Sequence, residues 1–258
     1  MATTISSLRQ LTANLPAALG HVARESDVKR RSDEYLSAIR SIKSVDDFIA
    51  NDRVYRYALQ AFGLEDLAYG KAFIRKVLSE GIDRGDSLAN RLADPRFREL
   101  AQAFNFPRYG AATVSFARTQ QGTVDRFVRQ VLETRAGKTN EGVRLALYFQ
   151  RKAPTISSAY SLLADRALLK VTQVVLGLPE STGALAIDRQ ADLITRRLDI
   201  AELSRPESLD KLMKRFAALW DLERPTVPSS IADFAASPRP AALGLELIAR
   251  IQKSQSGG

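Results

Sequence analysis

Few side chains in this sequence could carry out acid–base, nucleophilic or metal chemistry. The 258 residues include a single histidine, His21, and no cysteine. Thiol catalysis, disulfide scaffolds and Cys/His zinc sites are therefore excluded, and a Ser-His-Asp device has to rely on one histidine near the N-terminus. We predict that His21 is a surface or partly packed residue, that the protein uses no metal or cofactor, and that it is not an enzyme.

Two further patterns resemble chemical motifs. Gly137-Lys138-Thr139 reads like the end of a phosphate-binding loop, but Leu132 stands where the first glycine of that loop is expected. Because Leu132 belongs to an apolar stripe, we predict that Gly137 ends a helix instead. The acidic pairs Asp46-Asp47 and Glu65-Asp66 are predicted to lie at helix starts, where carboxylates interact favourably with the helix dipole.

The positive charge is concentrated in the middle of the chain. The net charge is +9, and residues 111–170 hold ten basic and four acidic side chains. A positive face can attract an acidic protein, an anionic lipid surface or nucleic acid, and it can also be merely solvated. No nucleic-acid motif accompanies the charge, so nucleic acid is the least favoured partner. The candidate partner-binding residues are four basic side chains of this stretch: Arg126, Arg129, Arg151 and Lys152.

The elements that position these side chains are predicted to be helices throughout. Apolar residues recur at three- and four-residue spacing, as in Val124, Phe127, Val128, Val131 and Leu132. No segment shows the alternation that is typical of a strand. The fold class is therefore all-α, a multihelical globular bundle.

One helical unit occurs more than once. Residues 52–64 and 94–106 share five of thirteen positions. Each segment begins with an aspartate, Asp52 or Asp94, a residue type that accepts hydrogen bonds from the free N–H groups of a helix start. Pro95 then occupies a first helical position, where its missing N–H costs nothing. We predict that both helices begin at these aspartates, and that replacing either by alanine removes about 1 kcal/mol.

The repeated units also share their ends. Gly63 and Asn105 are the residue types best able to adopt the left-handed turn that closes a helix. A looser third copy begins with Leu163-Ala164-Asp165 and ends with Leu176-Gly177-Leu178-Pro179. A fourth is predicted to start near Ser204, with Pro206 just inside it, and to run to Phe216. The intervals are unequal, so we predict internally duplicated helical units within one bundle rather than a solenoid.

The composition divides the chain into three parts. Residues 1–24 are rich in Thr, Ser, Ala and Leu and are expected to be helical or mobile; residues 25–222 form the multihelical domain; residues 223–258 contain a proline-bearing linker, an amphipathic helix and a tail. No apolar run is long enough for a membrane span, and the opening residues do not resemble a secretory signal peptide.

Several ordered blocks resemble a known family. They include SVDDFIANDRVYRYALQAFGLED at 44–66, KAFIRKVLSEG at 71–81, LALYFQRKAPTISSAYSLLAD at 145–165 and LGLP at 176–179. Together they resemble the uncharacterised bacterial domain-of-unknown-function family 1217, over about residues 25–222. Its members occur mostly in alphaproteobacteria, often among flagellar genes. The resemblance implies a multihelical fold and a context of flagellar assembly or motility, and it supplies no catalytic residue.

Two functions therefore remain open at this point. The first is a non-enzymatic structural or accessory protein of the flagellum, located in the cytoplasm or exported through the flagellar apparatus, with protein partners among flagellar components. The second is a binding module whose basic middle segment docks an acidic partner protein or, less favoured, nucleic acid. It predicts that reversing the four candidate charges weakens a salt-sensitive complex without loss of helicity.

Overall fold

Helices account for most of the backbone in a computed structural model of the protein, which describes residues 3–223. No strand occurs within this range, so the predicted all-α fold is confirmed. The α-helices are α1 (Thr4–Ala13), α2 (Leu15–Arg24), α3 (Ser26–Ile39), α4 (Val45–Ala50), α5 (Asp52–Ala61), α6 (Lys71–Glu80), α7 (Leu88–Arg91), α8 (Pro95–Ala103), α9 (Phe106–Tyr109), α10 (Gln121–Thr139), α11 (Glu141–Lys152), α12 (Ala159–Leu163), α13 (Arg166–Leu176), α14 (Ile187–Thr195) and α15 (Pro206–Glu223). Short 3-10 helices lie at Glu65–Leu67, Gly110–Ser115, Ala153–Thr155, Glu180–Ala184 and Ile200–Ser204.

Buried side chains form two hydrophobic clusters. The first core is built by α2 to α10 and contains a stack of three rings, with centroids 4.4 Å apart for Tyr35 and Tyr57 and 4.1 Å apart for Tyr57 and Phe127. The second core is built by α1 and α11 to α15 and contains Phe216 and Trp220, whose ring centroids are 5.5 Å apart. Burial of large aromatic residues supplies much of the hydrophobic stabilisation of each cluster.

The N-terminal segment contacts both cores. Leu8 of α1 is buried in the second core, whereas Val22 of α2 is buried in the first. The backbone N–H of Thr4 donates to both carboxylate oxygens of Asp221, at 3.1 and 2.9 Å. The described part of segment 1–24 is therefore helical and packed. The linker, amphipathic helix and tail predicted for the C-terminal segment lie outside the described residues beyond 223.

The two cores are joined by α10 and α11, the longest pair of helices that follow one another in the chain. The prediction that Gly137 ends a helix is wrong, because α10 continues through it to Thr139. A Cβ atom at Gly137 would lie 2.6 Å from Cδ of Arg144 on α11, so the glycine allows close approach of the two helices. Asn140 ends α10 and also caps α11, since its side chain accepts from the N–H of Val143.

The starts of the repeated units differ from the prediction in one copy. In α8 the prediction is confirmed, because the Asp94 carboxylate accepts from the N–H of Arg96 at 2.9 Å. In α5 it is wrong, because the cap is Asn51, whose side chain accepts from the N–H of Val54 at 3.1 Å. Asp52 is instead the first helical residue. Asparagine and aspartate are equally good caps, so the sequence alone does not decide between neighbours.

The ends of the repeated units also diverge. Gly63 has φ of +70° and Gly177 has φ of +61°, so both adopt the left-handed turn predicted for them. Asn105 does not, because its φ is −77° and its side chain caps α9 by accepting from the N–H of Arg108. Asp165 caps α13 as expected for the third copy. The fourth helix begins at Pro206 but continues past Phe216 to Glu223.

Candidate binding cleft

A cleft of about 300 Å³ lies where three of the repeated units meet. Its wall includes the end of α5 at Gly63, the start of α8 at Asp94, the start of α13 at Asp165, and the facing sides of α10 and α11. Helices of both cores therefore contribute to it. The charged side chains that line it are six cations, Arg96, Arg126, Arg144, Arg151, Lys152 and Arg166, and four carboxylates, Asp94, Glu99, Glu133 and Asp165. Cations exceed carboxylates, so the cleft carries a net positive charge.

Arg96 links the first two repeated units. Its Nε and Nη2 atoms pair with the Asp94 carboxylate, with Nη2 2.7 Å from Oδ2, and its Nη1 donates to the carbonyl oxygen of Gly63. Burial raises the pKa of the Asp94 carboxyl, but hydrogen bonds from the Arg96 side chain and backbone outweigh burial and hold that pKa below its usual range. Asp94 thus stays ionised and fixes the start of α8.

The third unit is tied to α11 by a tyrosine. The Tyr148 hydroxyl donates to Oδ2 of Asp165 at 2.5 Å, while Oδ1 of Asp165 accepts from the N–H groups of Ala167 and Leu168 at 2.9 and 3.1 Å. Burial and the nearby Asp165 charge raise the pKa of Tyr148 well above its usual range. Tyr148 therefore remains protonated and acts as a hydrogen-bond donor.

Glu133 is the most buried carboxylate of the cleft wall, with 2% of its side chain exposed. Its two oxygens accept from Nε and Nη2 of Arg151, each at 2.8 Å, in a bidentate pair. Oε1 also accepts from Nε of Arg129 at 2.8 Å, and Arg129 Nη2 donates to the carbonyl oxygen of Leu147 at 3.0 Å. One buried carboxylate thus joins α10 to α11 through two guanidinium groups.

Glu99 of α8 forms a second ionic centre. Its carboxylate pairs with Nζ of Lys152, whose side chain is 9% exposed, and with Nη1 of Arg126 at 3.3 Å. Burial lowers the pKa of the Lys152 amine, and the Glu99 carboxylate opposes that shift. Arg126 also lies over the ring of Phe62, with its guanidinium carbon 4.9 Å from the ring centroid.

Comparison with known proteins assigns the family. The model of the family described as protein of unknown function (DUF1217) matches residues 61–209, more than half of the chain. The chain belongs to this family. It is also similar to a crystal structure of a protein from Agrobacterium tumefaciens, determined as a structural genomics target, with 44% sequence identity and a TM-score of 0.81. The similarity covers 86% of this chain and 94% of the other. No curated protein matches the chain.

The four predicted partner-binding residues occupy different environments in this DUF1217 protein. Arg126, Arg151 and Lys152 line the cleft, whereas Arg129 is not among its lining residues and its side chain is only 11% exposed. Only Arg126 is largely accessible, with 43% of its side chain exposed. The other three are held by Glu133 or Glu99, so reversing all four charges would place like charges against buried carboxylates. That variant does not separate binding from folding.

Sequence reasoning identified Asp94 and Asp165 as caps but did not place them in one cleft of this DUF1217 protein. It also overlooked Arg166, an exposed residue at the start of α13, although Arg166 directly follows one of the predicted caps. The signal that could have grouped them is the repeat itself, because Asp94 and Asp165 cap the starts of corresponding helices in the second and third units. Their pairing with Tyr148 and Arg96 is a tertiary contact that no local pattern encodes.

The other sequence candidates lie apart from the cleft. His21 is on α2 with 78% of its side chain exposed, 3.6 Å from the Glu25 carboxylate. Lys138 and Thr139 lie in the last turn of α10. Within residues 3–223, no three histidine, aspartate or glutamate side chains are grouped as a metal site, and no helix combines the length and apolar composition needed to cross a bilayer.

Proposed function

We propose that this DUF1217 protein is a non-enzymatic accessory protein of the flagellar system that binds an acidic segment of a partner protein in the cleft. The observation that carries the proposal is the positive excess of the cleft, with Arg126 and Arg166 exposed beside charges that are already paired. Exposed arginines in a concave site attract carboxylates and pair with them bidentately.

The state of the cleft's titratable groups supports binding rather than catalysis. A general base near neutral pH needs a carboxylate whose pKa is raised, a free imidazole or an unpaired lysine whose pKa is lowered, and Lys152, the lysine that lines the cleft, is paired with Glu99. The pKa of Asp94 is instead lowered by its hydrogen bonds with Arg96, and the pKa of Tyr148 is raised so that it stays protonated. Glu99, Glu133 and Asp165 each accept hydrogen bonds from a cation or from Tyr148.

The flagellar context comes from the family resemblance, because family members occur often among flagellar genes. The protein then acts in the cytoplasm or is exported through the flagellar apparatus. Immunodetection in culture supernatant, compared between a flagellated strain and an export-defective one, distinguishes the two. Protein that reaches the supernatant only in the export-competent strain indicates export, and protein retained with the cells indicates a cytoplasmic role.

A photo-crosslinking experiment in a flagellated strain tests the proposed function. A photoreactive amino acid replaces Gln130, which lines the cleft, and crosslinked proteins are identified by mass spectrometry. The matched control carries the same amino acid at Arg53, an exposed position of α5 that is not among the cleft's lining residues. We expect one acidic partner to be captured from position 130 and lost when Arg126→Glu is added. Identical captures from both positions would contradict the proposal.

A further inference from the structure

We propose that the cleft continues past Arg126 into a longer groove that holds an extended acidic peptide, with Arg118 as its second anchor. The inference rests on the proposed function, because it names the form of the partner segment. The proposed groove has a second subsite around Arg118, next to the cleft described above.

The groove is continuous because two cavities share residues. A second cavity of about 490 Å³ is lined by Arg108, Tyr109 and Arg118, among others, and Glu99 and Arg126 line both this cavity and the cleft. Arg126 therefore stands where the two cavities join. A ligand larger than one side chain can pass from the first to the second without leaving the surface.

Arg118 is held in place but has no carboxylate partner. Its Nε donates to the carbonyl oxygen of Ala103 at 3.2 Å, and its guanidinium carbon lies 4.2 Å from the ring centroid of Phe116 and 5.0 Å from that of Tyr109. These contacts orient the guanidinium plane, while the residue is exposed and forms no ion pair with any residue from 3 to 223. A fixed guanidinium with free Nη groups is prepared to bind a carboxylate bidentately.

Arg166 is a further cation of the groove and lies in the cleft. It is exposed and forms no ion pair within the described range, although it lines the cleft. It is also the first residue of α13, where a cation meets the positive end of the helix dipole. Its charge is therefore not neutralised within the described range and is available to a carboxylate of a ligand in the cleft.

The carboxylates of the groove favour a peptide over nucleic acid. Asp83, Asp94, Glu99, Glu133 and Asp165 lie among the cations of the two cavities. A nucleic-acid backbone carries one charge at every phosphate, and surfaces that bind it are much more strongly positive. An extended peptide can present carboxylates to Arg118, Arg126 and Arg166 and neutral residues to the acids between them. The structure therefore favours an acidic protein segment.

Fluorescence anisotropy with a defined probe tests this assignment. The probe is a labelled peptide of about ten residues that alternates glutamate and serine and extends over roughly 35 Å. We expect the full-length protein to bind it with an affinity that falls as salt is raised. Arg118→Gln should weaken binding about tenfold, the loss expected for one charged hydrogen-bonded pair. Arg118→Lys keeps the charge but loses the planar guanidinium that pairs bidentately, so it should also weaken binding. The control Arg53→Gln should leave binding unchanged.

The possible outcomes distinguish a failure of the longer groove from a failure of the cleft. If Arg126→Gln and Arg166→Gln weaken binding but both Arg118 variants bind normally, the further inference is wrong and the proposed function stands. If substitutions at Arg118, Arg126 and Arg166 all leave binding unchanged, the further inference and the proposed function are both wrong. Tighter binding of an oligothymidine strand than of the peptide would overturn the choice of partner. Helicity and melting temperature are measured for each variant. If Arg118→Gln does not fold, the binding of Arg118→Lys decides the question.

Discussion

Arg129 and Arg126 lie three residues apart on α10, yet they belong to two different electrostatic environments. Arg129 is almost buried and bonds to Glu133 and to the backbone of Leu147. Arg126 is largely exposed and shares Glu99 with Lys152. The first belongs to an inner network that holds α10 against α11, and the second to the groove. The positive charge of a segment therefore does not measure how much of it is free to bind a partner.

The largest predicted effect comes from breaking the inner network. Glu133→Gln should lower the free energy of unfolding by about 3–5 kcal/mol, because it leaves the Arg129 and Arg151 guanidinium groups buried beside a neutral group. Urea denaturation followed by circular dichroism measures the change. The control is Glu141→Gln, which removes a carboxylate paired with Arg144 on the surface and should cost about 1 kcal/mol or less. Equal losses for the two variants would mean that the inner network does not stabilise the fold.

A smaller difference in stability is expected between the loss of a carboxylate from the cleft wall and the loss of one from the open surface. Asp94→Ala should cost about 1 kcal/mol or somewhat more, because Asp94 both caps α8 and pairs with Arg96. Asp52→Ala should cost about 0.5 kcal/mol or less, since Asp52 only forms exposed pairs with Arg56 and Lys71. Thermal and urea denaturation of both variants test this order. A larger loss for Asp52→Ala would place the cap of α5 at residue 52 after all.

The contribution of Asp94 should also depend on pH. Its pKa is lower in the folded protein than in the unfolded chain, so its stabilisation is present above the unfolded value of about 3.9 and disappears as pH falls through the folded value. The difference in unfolding free energy between the wild type and Asp94→Ala should be constant from about pH 7 to about pH 5 and shrink below about pH 4. A difference that grows on acidification would contradict the assignment.

The smallest effects on stability are expected in the groove. Arg126→Gln should change the free energy of unfolding by less than about 0.5 kcal/mol, because its pair with Glu99 is partly solvated, with the two side chains 43% and 27% exposed, and long at 3.3 Å. Arg166→Gln should be neutral or slightly stabilising, since it removes a cation from a helix start. Melting temperatures of the two variants, beside that of Glu133→Gln, provide the measurement. A loss comparable to that of Glu133→Gln would place these residues in the structural network.

Local sequence patterns predict the helices because helix formation depends on spacing and caps. The stripe at Val124 to Leu132 lies on α10, and Asp94 and Asp165 cap the helices predicted for them. The errors arise where two adjacent residues can do the same job, as at Asn51 and Asp52, or where tertiary packing overrides a local signal. Gly137 is the second case, because Arg144 of α11 occupies the space beside it.

The cleft could be predicted only in part, because pairing is a property of the folded chain. The charge of the middle segment points to Arg126, Arg151 and Lys152, and these three residues line the cleft. Their partner Glu99 is 53 residues from Lys152 and 27 from Arg126, and Glu133 is 18 residues from Arg151. No composition or spacing rule identifies such partners. Arg118 and Arg166 stand out only when the unpaired cations are known.

We propose that the groove arginines bind a partner while the inner arginines hold the fold. The most direct test of this division measures peptide anisotropy and melting temperature on the same sample of Arg126→Gln, because Arg126 is the arginine that lines both cavities. We expect the dissociation constant for the glutamate–serine peptide to rise about tenfold while the melting temperature stays within a few degrees of the wild type. An unchanged dissociation constant together with a large fall in melting temperature would contradict it.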